Sequence, residues 1–268
     1  MATKTEVAAA TNQLPASVSD FESHAGAGLE NVGITDVLVP RLSILQSLSP
    51  QLKKKDAAYI EGADVGMIAD LGTGDLFLEG VIFLPVHYRK DYLEWAPRAS
   101  GKGLVNVHHD PAILDQTTRD DKNRPVLPNG NYIAETAQFF GINLSAGRRK
   151  CFIPMASTQL KKARKWMTLA TGEKLKRADG SEYTPPLFYR VYELGSADES
   201  NAQGDWSGWT IARGKALPDI APEEFGAPWQ SLRQEAVDFY EALIRGEIKA
   251  DTSGMDGSSD VVDNEGAM

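Results

Sequence analysis

Cysteine and long apolar runs are almost missing from this 268-residue chain. Its one cysteine, Cys151, cannot form an internal disulfide and is too few for a zinc site built on thiolates. No apolar run approaches the roughly 18 residues that cross a bilayer, and residues 1–28 contain no apolar core of a secretory signal peptide. We therefore expect a buried, inert Cys151 and a cytoplasmic protein without a membrane partner.

The common catalytic signatures are also missing. The chain has no G-x-S-x-G motif, and its short glycine-rich loops match neither the phosphate-binding loop nor the dinucleotide fingerprint. The sequence His108-His109-Asp110, with His87 upstream, offers metal-ligand chemistry, but adjacent histidines on a strand point to opposite faces. We therefore predict no catalytic residue, no metal ion, no cofactor and no enzymatic activity.

Positive charge is concentrated in one segment of an acidic chain. The net charge is −9, yet residues 148–177, the basic segment, hold ten basic residues and one acid. The rest of the chain holds 18 bases against 36 acids. Such a separation indicates a polyanionic partner attracted by long-range electrostatics. A solvated surface of lysines and arginines is the alternative.

Composition divides the chain into an arm, a domain and a tail. Residues 1–32 are rich in Ala, Thr, Ser and Gly, which predicts a flexible arm. Residues 33–249 carry the apolar patterning of one folded domain. Residues 250–268 contain five acids, no base and almost no bulky residue, which is typical of a disordered acidic tail.

The first half of the domain is predicted to be mainly β-structure. Short apolar or β-branched runs between turn residues predict strands at Val81–Val86, Leu104–His108, Tyr132–Leu144 and Lys150–Pro154. Ile34–Leu48 has the spacing of a short helix or a mixed segment, limited by prolines. Residues 110–130 combine turn dipeptides and charges, which predicts a long loop.

Two amphipathic helices are predicted further along the chain. Ser157 or Thr158 can cap the first, a basic helix that ends near Gly172. Its apolar residues recur every three or four positions: Leu160, Ala163, Trp166, Met167 and Ala170. The second follows Pro222, runs through Trp229 to Ile244, and is closed by Gly246.

Between the two helices, Pro186–Leu194 and Trp206–Arg213 are aromatic and β-branched enough for two strands. The polar residues Ser196–Asp205 separate them. We predict a long hairpin with this polar segment as its loop.

Bases and aromatic rings alternate in the domain. Binding to a single strand without sequence preference needs cations for the phosphates and flat rings for the bases. Tyr88 through Trp95 has this mixture, and so does Phe188 through Tyr192, with Trp206 and Trp209 adding rings in the paired strand. Because side chains alternate along a strand, some of these rings must belong to the core.

Three stretches resemble bacteriophage-encoded single-stranded-DNA-binding proteins of replication. They are Asn31–Pro50, Val86–Trp95 and Ser157–Trp166, and the similarity covers roughly residues 31–215. The resemblance implies a β-rich α+β fold: an OB-fold-like five-stranded barrel with a basic helix, a C-terminal amphipathic helix and disordered tails. It also implies that residues 33–249 are an OB-like nucleic-acid-binding domain in the host cytoplasm.

The implied function is non-catalytic binding of single-stranded DNA in phage DNA replication and recombination. The acidic tail would compete with DNA and recruit replication proteins, and a homo-oligomer is left open. The basic DNA-binding residues would be Arg89, Lys90, Arg148, Arg149, Lys150, Lys161, Lys162, Arg164 and Lys165. The bases would stack on Tyr88, Tyr92, Trp95, Tyr189 or Tyr192.

Two other functions remain open at this point. A phage structural or scaffolding protein could use the same charge separation to join subunits. A metal-dependent nuclease, the third alternative, would use His87, His108, His109 and Asp110.

Overall fold

The computed structural model describes residues 24–25, 27–32, 36–202, 204–248 and 250–251. These belong to two compact units, residues 1–37 and residues 38–268. The described part of the first unit makes short turns, in one of which the Gly28 amide donates to a Glu30 carboxylate oxygen at 3.0 Å. Most of the predicted arm, and the predicted acidic tail from residue 252 onward, lie outside the described residues.

The second unit contains strands and a few helices. The strands are β1 (Leu42–Ile44), β2 (Ile68–Asp70), β3 (Leu76–Phe77), β4 (Val81–Trp95), β5 (Leu104–His108), β6 (Thr118–Arg119), β7 (Pro125–Val126), β8 (Tyr132–Asn143), β9 (Arg149–Ala156), β10 (Leu175–Lys176), β11 (Glu182–Tyr183), β12 (Arg190–Asn201) and β13 (Gly204–Ala216). The α-helices are α1 (Leu160–Thr171), α2 (Pro222–Phe225) and α3 (Trp229–Ile244). Within the described part of the chain, no helix is both long and apolar enough to span a membrane.

Strand β4 is the central strand of the main antiparallel sheet. It pairs with β8 from Phe83 to its end, with β12 near its start and with β5 near its end. The sheet continues from β12 to β13 and from β8 to β9 and β7. A register shift at Pro85, whose nitrogen cannot donate, bends β4. Facing this bend, a Cβ on Gly141 would lie 2.4 Å from the Leu84 carbonyl oxygen, so only glycine fits there.

Helix α1 packs against one face of this sheet through Trp166. The indole is fully buried and stacks on Phe139 with ring centroids 4.1 Å apart. Phe83 and Tyr192 contact it edge-on at 5.9 and 5.4 Å. The predicted apolar face of the basic helix is therefore confirmed. Cys151 lies in the same core, as expected, and its burial raises the pKa of the thiol.

Helix α3 packs against the opposite face. Leu232, Ala236 and Phe239 are buried there against residues of the central strands. The sheet is thus covered on both sides, which explains why β4 and β8 carry long buried runs.

A glutamine side chain joins the two ends of the curled sheet. The Gln46 side-chain amide donates to the Ser207 carbonyl at 2.8 Å, and its oxygen accepts from the Ser207 amide at 3.0 Å. Gln159 accepts in the same way from the Trp209 amide at 3.0 Å. Gln46 follows β1, which reaches β9 through a parallel bridge between Arg41 and Phe152. These side chains thus replace strand pairing along a seam beside β13.

The β-rich α+β class is confirmed as a curled antiparallel half-barrel with a few short helices. The strand and helix predictions at 81–86, 104–108, 132–144, 150–154, 157–172 and 229–244 are confirmed with shifted ends. Two of the finer predictions were wrong. Ser196–Asn201 and Gly204–Asp205 are paired strand, because their polar side chains face solvent on a two-stranded ribbon, and α1 has no side-chain N-cap bond. The predicted helix or mixed segment before residue 48 is mixed, with a bridge at Val39 followed by β1.

Candidate nucleic-acid interface

A cleft of about 880 Å³ separates the start of α1 from the hairpin of β12 and β13. We call it the helix–hairpin cleft. It is lined by Ser157, Thr158, Leu160, Lys161, Lys162, Arg164, Glu199, Ser200 and Trp206. Three cations, one carboxylate and one large ring therefore meet in one open space. The aliphatic face of α1 is buried behind it, so the helix presents its basic side to the cleft.

Glu199 organises the hairpin wall of this cleft. Its carboxylate lies 2.5 Å from the Lys162 ammonium and accepts a bond of 2.8 Å from the Trp206 indole N–H. Beneath them, a Cβ on Gly208 would lie 2.4 Å from both the Lys162 nitrogen and a Glu199 oxygen. The absence of a side chain at Gly208 therefore leaves room for the ion pair against β13, and the Glu199 carboxylate in turn holds the Trp206 indole N–H.

A second, smaller cleft of about 290 Å³ adjoins the first. We call it the loop cleft. It is lined by Leu114, Arg119, Lys122, Asn123, Arg124, Pro125, Tyr132, Ile133, Ala134, Glu135, Ser157 and Leu160. Ser157 and Leu160 line both clefts, so the two spaces meet at the start of α1. Together the linings hold six cations against two carboxylates, in a chain whose net charge is −9.

Glu135 connects the cations around the two clefts. It lies 2.9 Å from the Lys90 ammonium and 3.9 Å from the Arg164 guanidinium. The bond from Glu135 raises the pKa of Lys90, so this lysine is charged at neutral pH. The Arg164 side chain nevertheless remains 73% exposed, and its charge faces solvent.

The boundary between the clefts has unusual backbone geometry. Ser157 adopts a φ of 49°, in the left-handed region that a non-glycine residue rarely occupies. The first turn of α1 contains no acidic residue and no side-chain cap. The positive end of the helix dipole is therefore not neutralised locally, and it adds to the charge of the cleft cations.

The basic segment does not form one surface. Lys161, Lys162 and Arg164 line the helix–hairpin cleft, and Lys165 is exposed on the same helix. By contrast, Arg148 pairs with Glu235 of α3 at 3.2 Å.

Its two neighbours are also engaged elsewhere. Lys150 lies 5.4 Å from the centre of the Phe239 ring, also on α3. Arg149 binds Asp75 and, at 3.2 Å, the buried Asp70, so it fastens β9 to the small sheet of β1, β2 and β3. The structure therefore does not bring Arg148, Arg149 and Lys150 together with the α1 cations, as the sequence had predicted.

The predicted residues of β4 are divided between the two faces of the sheet. Tyr88 and Lys90 lie on the side of α1, where Tyr88 packs against Phe139. Arg89 lies on the side of α3, with its guanidinium 5.2 Å from the Phe140 ring and 2.9 Å from Asp91. The alternation of a strand separates them, so Arg89 does not face either cleft.

Most of the rings expected to stack on bases are in the core. Tyr92, Trp95 and Tyr192 are 6%, 2% and 1% exposed, and burial raises the pKa of the Tyr192 hydroxyl. Tyr189 is half-buried with the Arg190 guanidinium 5.9 Å from its ring centre. Packing therefore occupies the ring faces of Tyr92, Trp95 and Tyr192, and the structure does not present them for base stacking.

The histidines of the nuclease alternative each contact different partners. His108 binds Glu94 and His109 binds the buried Asp91, each at 2.8 Å. His87 lies between the rings of Phe140 and Tyr240, where burial lowers its pKa. In the described residues no group of three or more histidines, cysteines or carboxylates could hold a metal ion.

A protein-family model identifies the family of the chain. The model of the Pam3 phage gp34-like proteins matches residues 8–249. The chain belongs to this family. It is therefore a phage protein, and the bacteriophage part of the resemblance is confirmed. No curated protein and no solved structure matches the chain significantly.

Several residues at the clefts were missed or undervalued in the sequence. Trp206 stood out as a ring in a hairpin strand, but nothing in the sequence separated it from the buried Trp209. Arg119, Lys122 and Arg124 occur in a stretch with two acids, which reads as an ordinary solvated loop. Only the pairing of β6 with β7 and of β7 with β8 brings them beside α1.

Proposed function

We propose that this phage protein binds single-stranded DNA without catalysis, through the helix–hairpin cleft, during phage DNA replication and recombination. The observation that carries the proposal is the meeting of three cations with the half-buried Trp206 ring in one open cleft. A single strand exposes both phosphates and base faces, and this cleft offers a partner for each.

The packing of α1 favours a single strand over a duplex. A major groove is read by a helix or a two-stranded β-ribbon that protrudes into it. The Ala163 and Trp166 side of α1 is buried in the sheet, and the hairpin stands across the cleft from its basic side. A strand with splayed bases can enter such a space more readily than a helix of paired bases.

The proposal includes an OB-type barrel and a role for the acidic tail. The curled sheet, whose edge at β13 is bonded to Gln46 and on which α1 packs, is consistent with a small, partly open barrel of the kind that binds oligonucleotides. The tail would occupy the cleft cations as a polyanion when DNA is absent and would bind replication proteins when DNA displaces it.

One experiment tests the proposal against its alternatives. The full chain is incubated with labelled single-stranded DNA, with and without Mg²⁺ or Mn²⁺, and resolved on a native gel beside a duplex of the same length. We expect retention of the single strand, weaker retention of the duplex, and no cleavage. Cleavage would favour a nuclease. Absence of binding, together with large assemblies in sedimentation, would favour a scaffolding protein.

A further inference from the structure

The loop cleft combines an apolar floor with basic residues at its rim, and the function proposed for the helix–hairpin cleft assigns no role to it. Its floor is apolar, formed by residues such as Leu114, Pro125 and Ile133, and its rim carries Arg119 and Lys122, which are both exposed. Small-ligand sites combine an apolar floor with a few placed polar groups, and they start near 300 Å³. At about 290 Å³ the loop cleft lies at the lower end of this range, which favours a small occupant.

We propose that the bound DNA strand passes over Ser157 and places one unpaired base, with its phosphate, in the loop cleft. This inference rests on the proposed function and extends the same site. Ser157 and Leu160 line both clefts, so a strand leaving Trp206 along the start of α1 enters the loop cleft directly.

The rim of the loop cleft is preorganised. Asp120 binds the Arg124 guanidinium at 2.9 Å and accepts from the backbone amides of Lys122 and Arg124 at 3.0 and 2.8 Å. Arg119 donates to the Asn123 carbonyl at 2.7 Å. That carbonyl carries no net charge, so Arg119 keeps its charge for an anion, whereas the charge of Arg124 is balanced by Asp120. The phosphate is therefore best placed at Arg119, with the exposed Lys122 beside it on the rim.

Glu135 sets the orientation of the nucleotide. Its carboxylate lies in the lining of the loop cleft and repels a phosphate placed beside it. The phosphate is thus directed to the rim and the neutral base to the apolar floor. The same carboxylate can accept a hydrogen bond from an amino group of the base.

The test compares two double variants over a series of oligonucleotide lengths. Arg119→Ala/Lys122→Ala removes the rim cations, and Lys53→Ala/Lys54→Ala removes two exposed cations that line neither cleft. For oligonucleotides long enough to leave the helix–hairpin cleft, the rim variant should bind severalfold more weakly. The log-log salt slope of its binding should also decrease in magnitude by about 0.7, for the one phosphate at the rim. Short oligonucleotides should bind both variants like the wild type.

An abasic site moved along the oligonucleotide separates base binding from phosphate binding. In the wild type we expect two sensitive positions, one for Trp206 and one for the loop cleft. Trp206→Ala should abolish the first and keep the second. The inference is overturned if the rim variant behaves like the Lys53/Lys54 control at every length or if the scan shows a single position. If the wild type binds no oligonucleotide, the proposed function itself fails.

Discussion

Trp206 shows how a single residue can combine a structural bond with an open ring. Its N–H is taken by Glu199 at 2.8 Å, while the ring lines the helix–hairpin cleft. Trp166 and Trp95, with ring faces packed in the core, have no such surface. Among the tryptophans discussed, Trp206 is therefore the one whose removal should affect a ligand more than the fold.

Replacing Trp206 by alanine should weaken single-stranded DNA binding by about 1 to 3 kcal/mol, the value of one stacked base. Trp206→Phe keeps a ring and should lose less. Fluorescence anisotropy with a labelled oligonucleotide measures both, and urea unfolding confirms that the fold is retained. Equal losses for the two variants would show that the indole bond to Glu199, and not stacking, is what matters.

Individual side chains also show where the sequence was a poor guide. Tyr92 and Tyr192 have basic neighbours in the sequence, as a base-stacking ring is expected to have, but both side chains are buried. Hydrophobic periodicity identifies a strand, but it does not show whether one face or both faces of that strand are covered by other elements. That choice depends on α1 and α3, which pack from opposite sides and come from distant parts of the chain.

At the scale of elements, the cations of the basic segment separate into two groups. Those of α1 face the helix–hairpin cleft, whereas Arg148 and Lys150 contact α3. Both groups contribute positive charge to the same segment of the sequence, so the sequence alone assigned them to one surface. The fold distinguishes them because Arg148 and Lys150 lie around the start of β9 beside α3, whereas α1 follows the end of β9 and packs in the other core cluster.

A pair of multiple variants tests this separation. Lys161→Ala/Lys162→Ala/Arg164→Ala should weaken single-stranded DNA binding alike for all sequences, because these cations meet phosphates. The log-log salt slope should decrease in magnitude by about 2, for three contacts. Arg148→Ala/Lys150→Ala, from the same segment, should bind nearly as the wild type does. Salt titrations of affinity measure both, and equal losses would contradict a local cleft.

The end of α1 is fastened to the hairpin by Glu173. Arg190 donates two bonds to its carboxylate, at 2.8 and 2.5 Å, and Arg213 donates a third at 3.2 Å. The bonds from Arg190 lower the pKa of Glu173 below its ordinary value of 4.5. A lowered pKa means that the carboxylate stabilises the fold above about pH 4.5, and that this contribution is lost as the pH falls through the folded-state pKa.

We expect Glu173→Gln to lower the free energy of unfolding by about 1.5 to 3 kcal/mol at pH 7, the range for charged hydrogen bonds. The difference from the wild type should shrink below pH 4.5, where the wild-type carboxylate takes up its proton. Urea denaturation at pH 7 and in acid measures it. A difference that stays constant with pH would mean that shape, and not charge, accounts for the loss.

For the whole molecule, the excess of acid over base makes the clefts exceptional. The chain carries −9 overall, with six cations against two carboxylates in the cleft linings. In the proposed function, the acidic remainder of the chain would repel DNA and so direct binding to the clefts. The sequence predicted this division of charge, but not which basic residues would adjoin one another.

Removing residues 252–268 should strengthen single-stranded DNA binding at moderate salt, because in the proposed function the tail competes for the same cations. The deletion begins at 252 because Ala250 bridges to Val39 and the Asp251 amide donates to the Val39 carbonyl. A full-length variant with Asp256, Asp260, Asp263 and Glu265 changed to their amides should match the deletion. Affinity measured across a salt series decides, and unchanged binding in both proteins would remove the tail from the mechanism.

The seam at Gln46 also bears on when the protein becomes competent to bind. It joins residues 161 positions apart in the chain, and contacts between such distant residues form slowly because a long loop must close first. The seam, Trp206 and Gly208 all belong to the same stretch of β13. A nascent chain emerging from the ribosome therefore has its basic helix well before it has a cleft, and the proposed nucleic-acid binding would have to wait until β13 has been synthesised and docked.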